Sequence, residues 1–260
     1  MQPLTLSLVQ TETHWHDCEA NLELFARLLQ QVPDKSDLLL LPEMFSTGFT
    51  MASQAVAQSM HGEAVTWLRD RAVTLQKHIC ASVVVIDEGQ YFNRFICATP
   101  GAQLLTYDKR HLFRMAEEHE HYSAGSERLV FEVNGWRVLA SVCYDLRFPV
   151  WLRNRNDYDL MVCLANWPAA RQSAWNTLLR ARSIENQAYV AGVNRVGTDG
   201  NGVVYAGGSG IYAPDGEILA ERMDHADIIT ATLEPATLLS LRASFPVWQD
   251  ADKFQLDEQA

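Results

Sequence analysis

Apolar positions along this chain switch repeatedly between two spacings. "PLTLSLVQT" (residues 3–11) alternates as a half-buried strand does, whereas "ANLELFARLLQQV" (20–32) places Leu22, Phe25, Leu28 and Leu29 on one helix face. The continuous run "DLLLLP" (37–42) predicts a strand buried on both faces. "EAVTWLRDRAVTLQK" (63–77) predicts a helix, and "ICASVVVI" (79–86) and "RFICATP" (94–100) predict further strands. The first half therefore reads βαβαββ.

The second half has the same rhythm. "LVFEVNGWRVLASVCYD" (129–145) predicts a hairpin turning at Asn134-Gly135, since an Asn-Gly pair takes the positive φ that a two-residue turn demands. "YDLMVCLANW" (158–167) reads as a buried strand, "SAWNTLLRARSIENQ" (173–187) as a helix and "AYVAGVNRVG" (188–197) as a strand. "GSGIYAPDGEILAE" (208–221) reads as a hairpin through Pro214, Asp215 and Gly216. Two related α/β layers follow. Sheets that bury one face on each other and cover the other with helices give a four-layer αββα sandwich of two pseudo-repeated halves.

No Pro-, Gly- or Ser-rich stretch divides the 260 residues, so one domain over 1–260 is expected, with its core at about 4–234. The segment 235–260 includes "FPVWQDADKF" (245–254), whose aromatic residues make a free tail costly; it should dock on the body or on a partner subunit.

Charge narrows the function. A formal net charge of −11, with only short mixed basic clusters, opposes a nucleic-acid or anionic-membrane partner. The N-terminus lacks the basic and apolar regions of a signal peptide, and no window is apolar enough to span a membrane, so a cytoplasmic protein is expected. Five cysteines form an odd set without CxxC spacing, which argues against a disulfide framework and a zinc site and leaves reduced thiols. His111, His119 and His121 lack helical metal-ligand spacing and read as solvated or structural.

Three polar groups end apolar runs: Glu43 in "LLLLPEMF", Lys109 in "LLTYDKRHLF" and Cys143 in "VLASVCYD". An acid, an amine and a thiol at strand ends would converge on one crevice. A thiol needs a base or a nearby cation to attack at neutral pH, and an oxyanion needs a fixed positive charge or N–H donors. Asp145 and Arg147 read as an ion pair that fixes the turn after Cys143.

"LPEMF" (41–45), "YDKRHLF" (107–113) and "CYDLRFP" (143–149), in that order, resemble the three catalytic segments of the nitrilase, or carbon-nitrogen hydrolase, superfamily; the resemblance covers about residues 4–233. "PEMFSTGF", "KRHLFRMAEEHEHYSAG", "NWP" and "RSIENQAYV" look most like its omega-amidase branch. The resemblance implies a Glu43–Lys109–Cys143 triad on the αββα fold, no cofactor, no metal and, commonly, a homodimer. It implies hydrolysis of the terminal amide of 2-oxoglutaramate or related 2-oxo acid monoamides by water through a cysteine thioester, with the Tyr144 N–H on the oxyanion. A second family glutamate lies among Glu117, Glu118 and Glu120, and counting back from Gly125 selects Glu118. Asn166 and Trp167 are expected to line the pocket. Other C–N hydrolases, acting on N-carbamoyl amino acids, nitriles, aliphatic amides or deaminated glutathione, stay open, as does a non-catalytic binding protein. A substrate carboxylate would need a further cation, with Arg171, Arg180 and Arg195 as candidates.

Overall fold

The computed structural model describes residues 1–256. Thirteen strands build it: β1 (Leu4–Gln10), β2 (Leu38–Leu40), β3 (His78–Asp87), β4 (Gln90–Ala98), β5 (Leu104–Asp108), β6 (Val130–Val133), β7 (Trp136–Val142), β8 (Leu160–Leu164), β9 (Tyr189–Val193), β10 (Val196–Thr198), β11 (Val204–Tyr212), β12 (Ile218–Met223) and β13 (Asp227–Leu233). The helices are α1 (Cys18–Leu29), α2 (Ser53–Val56), α3 (Glu63–Leu75), α4 (Glu118–His121), α5 (Pro149–Leu152), α6 (Gln172–Asn186) and α7 (Pro235–Ser244).

The first sheet has the order β13-β1-β2-β3-β4-β5; the second runs β10-β11-β9-β8-β7-β6, with β12 on β11. Each has three adjacent parallel strands, β1-β2-β3 and β7-β8-β9, flanked by antiparallel ones. The expected pseudo-repeat is thus visible in strand direction as well as in sequence rhythm.

The run "LLLL" is explained by its two covered faces. Leu38 and Leu40 enter the core between the sheets with Leu4, Leu6 and Leu8, while Leu39 and Leu41 pack toward Phe25 of α1 and Leu68 of α3. A strand sandwiched this way has no solvent side to mark with polar residues. Each buried leucine contributes about 1.5–3 kcal/mol. On the second sheet, α6 lies so close that a Cβ on Gly192 would come within 2.6 Å of Leu179.

Two local readings change. "AYVAGVNRVG" is two strands, because Asn194 turns inward to hydrogen-bond Trp167 and Gly207 and ends β9. Strand β13 was not anticipated: it leaves the second half and pairs antiparallel with β1 along Leu4–Gln10. The C-terminal segment meets the body through Leu238, which is buried, and through Arg242, which donates to Asp159 and to the Tyr158 and Gln187 carbonyls. Residues 257–260 of the predicted docking segment lie outside the described residues.

Candidate active site

Strand ends of both sheets deliver the site. Glu43 follows β2, Lys109 follows β5, Cys143 follows β7 and Asn166 follows β8; Glu118 opens the single turn of α4. Glu43, Lys109 and Glu118 are fully buried. The Lys109 Nζ donates to Glu43 Oε1 at 2.9 Å and to both oxygens of Glu118 at 2.9 Å. Glu118 Oε2 also accepts the Phe113 N–H at 2.6 Å, which fastens the 109–118 loop onto the lysine. Glu117 and Glu120 are exposed, so the geometry separates Glu118 from its acidic neighbours.

Gly125 fixes where this loop returns to the strand. Its N–H donates to the Lys109 carbonyl, and a Cβ there would lie 2.1 Å from the Asp108 carbonyl oxygen. Only glycine allows the returning chain to lie against the strand that carries Lys109.

Cys143 sits at the turn out of β7 with φ +45°, in the left-handed region that costs a non-glycine residue about 1–3 kcal/mol. Asp145 holds that turn. It is fully buried, and accepts the Val142 N–H, the Tyr107 hydroxyl and the His111 N–H, with His111 Nδ1 2.8 Å from Oδ1. The expected Asp145–Arg147 ion pair does not form, because the carboxylate is already occupied by these groups below the turn. Arg147 instead lies over the Trp167 ring, 4.8 Å from its centroid. His111 stacks on Phe148, and His119 and His121 are exposed.

A cleft of about 730 Å³, measured out to open solvent, lies over these residues. Lys109, Cys143, Tyr144, Asn166 and Trp167 all line it. So do Arg147 and Arg171, whose side chains have no hydrogen bond or carboxylate partner among the described residues; Arg171 lies over Phe113 at 5.2 Å. Of the other candidate cations, Arg180 is exposed on α6 beside the turn at Gly216, and Arg195 is fully buried behind Tyr205.

Burial first, then the charge of Glu43, push the Cys143 thiol well above its ordinary range, with Lys109 pulling the other way. The resting sulfur therefore carries its proton at neutral pH. Burial alone would lower Lys109, but the charges of Glu118 and Glu43 outweigh it and hold the ammonium well above its usual range. Burial raises Glu118 against the pull of Lys109, and Glu43 adds to the rise. Two carboxylates thus share one ammonium beside a protonated thiol.

Asn93 was missed by the sequence reading. It lies inside β4, and no local pattern distinguishes it from an ordinary polar residue of a strand. Its Nδ2 donates to Glu43 Oε1 at 2.7 Å. Asn166 does more than line the pocket: its backbone N–H donates to Glu43 Oε2 at 2.9 Å and its Nδ2 to the Glu43 carbonyl at 2.5 Å.

The carbon-nitrogen hydrolase pattern matches residues 5–243, and the chain belongs to that family. It is 50% identical over 258 residues to the omega-amidase YafV of Escherichia coli, a likeness covering 98% of this chain and 100% of that one. A 2-oxoglutaramate amidase of Bacillus subtilis is 32% identical over 254 residues, covering 96% and 98% of the two chains. In structure, the chain resembles a CN-hydrolase superfamily protein from Xanthomonas campestris with an arsenic adduct in its active site. The TM-score is 0.96 at 46% identity, over 99% of this chain and 100% of that one.

Proposed function

We propose that this enzyme is an omega-amidase, which hydrolyses the terminal amide of 2-oxoglutaramate or a related 2-oxo acid monoamide to the acid and ammonia. The observation that carries amide hydrolysis is the buried Glu43–Lys109–Glu118 cluster beside Cys143 at the cleft. The full-length likeness to an omega-amidase and a 2-oxoglutaramate amidase supports the substrate.

Because the resting thiol is protonated, Glu43 takes its proton as sulfur attacks the amide carbon. The oxyanion is met by the Tyr144 N–H and the Lys109 ammonium. The C–N bond then breaks, Glu43 returns the proton to nitrogen, and ammonia leaves a thioester on Cys143. Glu43 next takes a proton from water as its oxygen attacks the thioester; the C–S bond breaks, the acid departs and the sulfur regains the proton. Glu118 holds Lys109 in place. No metal or organic cofactor takes part in this scheme.

The substrate carboxylate is held by Arg147 and Arg171. Each guanidinium lies over an aromatic ring, lines the cleft and lacks an anionic partner among the described residues, so an incoming carboxylate has no internal ion pair to break. With that end clamped, only an amide at the matching distance reaches sulfur. The double variant Arg147→Met/Arg171→Met should lose about 100-fold in kcat/KM on 2-oxoglutaramate and much less on a neutral aliphatic amide. Comparing 2-oxoglutaramate, glutamine, an aliphatic amide and an N-carbamoyl amino acid on the wild type tests the substrate. A neutral or carbamoyl compound better by more than about tenfold, ~1.4 kcal/mol of transition-state preference, would overturn it.

One catalytic domain, a homodimer and a cytoplasmic location complete the reading. Phe245 is 64% and Trp248 41% exposed at the end of α7, surface suited to a second copy. Sedimentation of dilute protein should give a dimer, and a monomer throughout the micromolar range would remove this part. All five cysteines are free thiols, as a reducing compartment would keep them.

A further inference from the structure

We propose that Asn93 is a positioning residue for the catalytic base: it saturates one oxygen of Glu43, so that the other, Oε2, receives the proton of Cys143. This rests on the reading of Glu43 as the base.

Asn93 lies in mid-strand on β4, opposite Val84, and is fully buried. A buried amide costs stability unless its polar atoms are paired. Among the described residues the side chain forms no bond to a backbone group. Nδ2 reaches Glu43 Oε1 at 2.7 Å and, more distantly, Glu118 Oε1 at 3.4 Å, while Oδ1 has no partner. The reverse orientation would set a carbonyl oxygen against a carboxylate oxygen, so the amide nitrogen faces the acids. A residue retained for folding would tie the strand to a neighbour or fill the space with carbon. The Asn93 side chain does neither; among the described residues its only polar contacts are the two acids of the site.

The consequence falls on Glu43. Oε1 accepts both Lys109 Nζ and Asn93 Nδ2, which occupies its two lone-pair directions. Among the described residues Oε2 accepts only the Asn166 N–H, which leaves one direction open. Proton transfer from sulfur is therefore directed to Oε2, and two fixed donors keep the carboxylate from rotating. The charged and titratable groups that feel the Glu43 charge are Lys109 and Glu118, with Cys143 and Tyr205 on the cleft wall and Cys163 and Tyr122 buried behind it. Glu118 competes with Glu43 for the one ammonium. The neutral Asn93 N–H gives Glu43 a second donor that Glu118 engages only at 3.4 Å.

Asn93→Leu tests this, since leucine has nearly the shape of asparagine but lacks both the donor and the unpaired carbonyl, so the fold should lose little. Two readouts are used: kcat/KM against pH on 2-oxoglutaramate, and the pH dependence of Cys143 alkylation by iodoacetamide. The variant should melt within a few degrees of the wild type and lose about 10- to 100-fold in kcat/KM, with KM little changed. Its acid limb should move up by about one pH unit in both profiles, because removing an N–H donor favours the protonated carboxylate. If wild type fails to cleave 2-oxoglutaramate, the substrate reading fails, and the alkylation profile still tests Asn93. A folded Asn93→Leu with wild-type rate and profiles overturns the proposal. If the leucine variant does not fold, Asn93→Ala carries the same comparison, and an unmoved alkylation profile there is equally decisive.

Discussion

Cys143→Ala should lose nearly all turnover, about 10⁵-fold or more, while melting within a few degrees of the wild type, because Cys143 is the only thiol among the described residues that line the cleft. Mass spectrometry of enzyme trapped with substrate should place the acyl adduct on Cys143. The other thiols are poor rivals. Cys80, Cys97 and Cys163 are fully buried in strands, and burial pushes Cys163 up to about 12. Cys18 is partly exposed on α1, where burial also raises its thiol. Cys143 lines the cleft and lies at the end of its strand with Asn166 and Glu43 across from it. An adduct on Cys163 alone, or a Cys143→Ala enzyme that still releases ammonia, would refute the assignment.

Glu118→Gln should cut kcat by about 100- to 1,000-fold, since Lys109 would lose the charge that holds it on two sides and keep only Glu43. Stability should not suffer, and the sign follows from the titration. Glu118 is raised in the fold, so between its unfolded and folded values the native chain binds more protons than the unfolded one. Native stability therefore falls as pH rises from the ordinary glutamate range through that window. Glutamine mimics the protonated acid and escapes the loss. At neutral pH the variant should thus melt at the same temperature as the wild type or higher, with a flatter dependence on pH above about 4.5. Glu120→Gln, on the exposed side of the same turn, should change little. A large activity loss in Glu120→Gln with none in Glu118→Gln would contradict the geometry of the loop.

Both predictions concern residues that were legible in the sequence, and the reason is local. Glu43, Lys109 and Cys143 each interrupt an apolar run at a strand end, where burial and charge conflict, and Gly125 marks a fixed distance along one loop to Glu118. Arg147 was visible but misread: its neighbour Asp145 suggested an ion pair, whereas the tertiary fold brings Tyr107 and His111 beneath the turn to occupy the acid. Once that carboxylate is taken, the arginine is free to face the cleft.

The sequence by itself determined the layered α/β architecture, because strand and helix periods survive along the chain wherever one face meets a core. It also carried the family resemblance in "LPEMF", "YDKRHLF" and "CYDLRFP", and it singled out Glu43, Lys109 and Cys143 as candidates, since each ends an apolar run with a group such runs usually exclude. Only the tertiary structure decided that β13 returns to pair with β1, that Asn93 and Asn166 grip the two oxygens of Glu43, and that Arg147 and Arg171 share the cleft. These facts join residues far apart in the chain: Asn166 lies 123 positions from the carboxylate it contacts, and Asn93 lies 50. Hydrogen-bond partners at such separations depend on how two sheets stack, and stacking leaves no periodic trace in either strand.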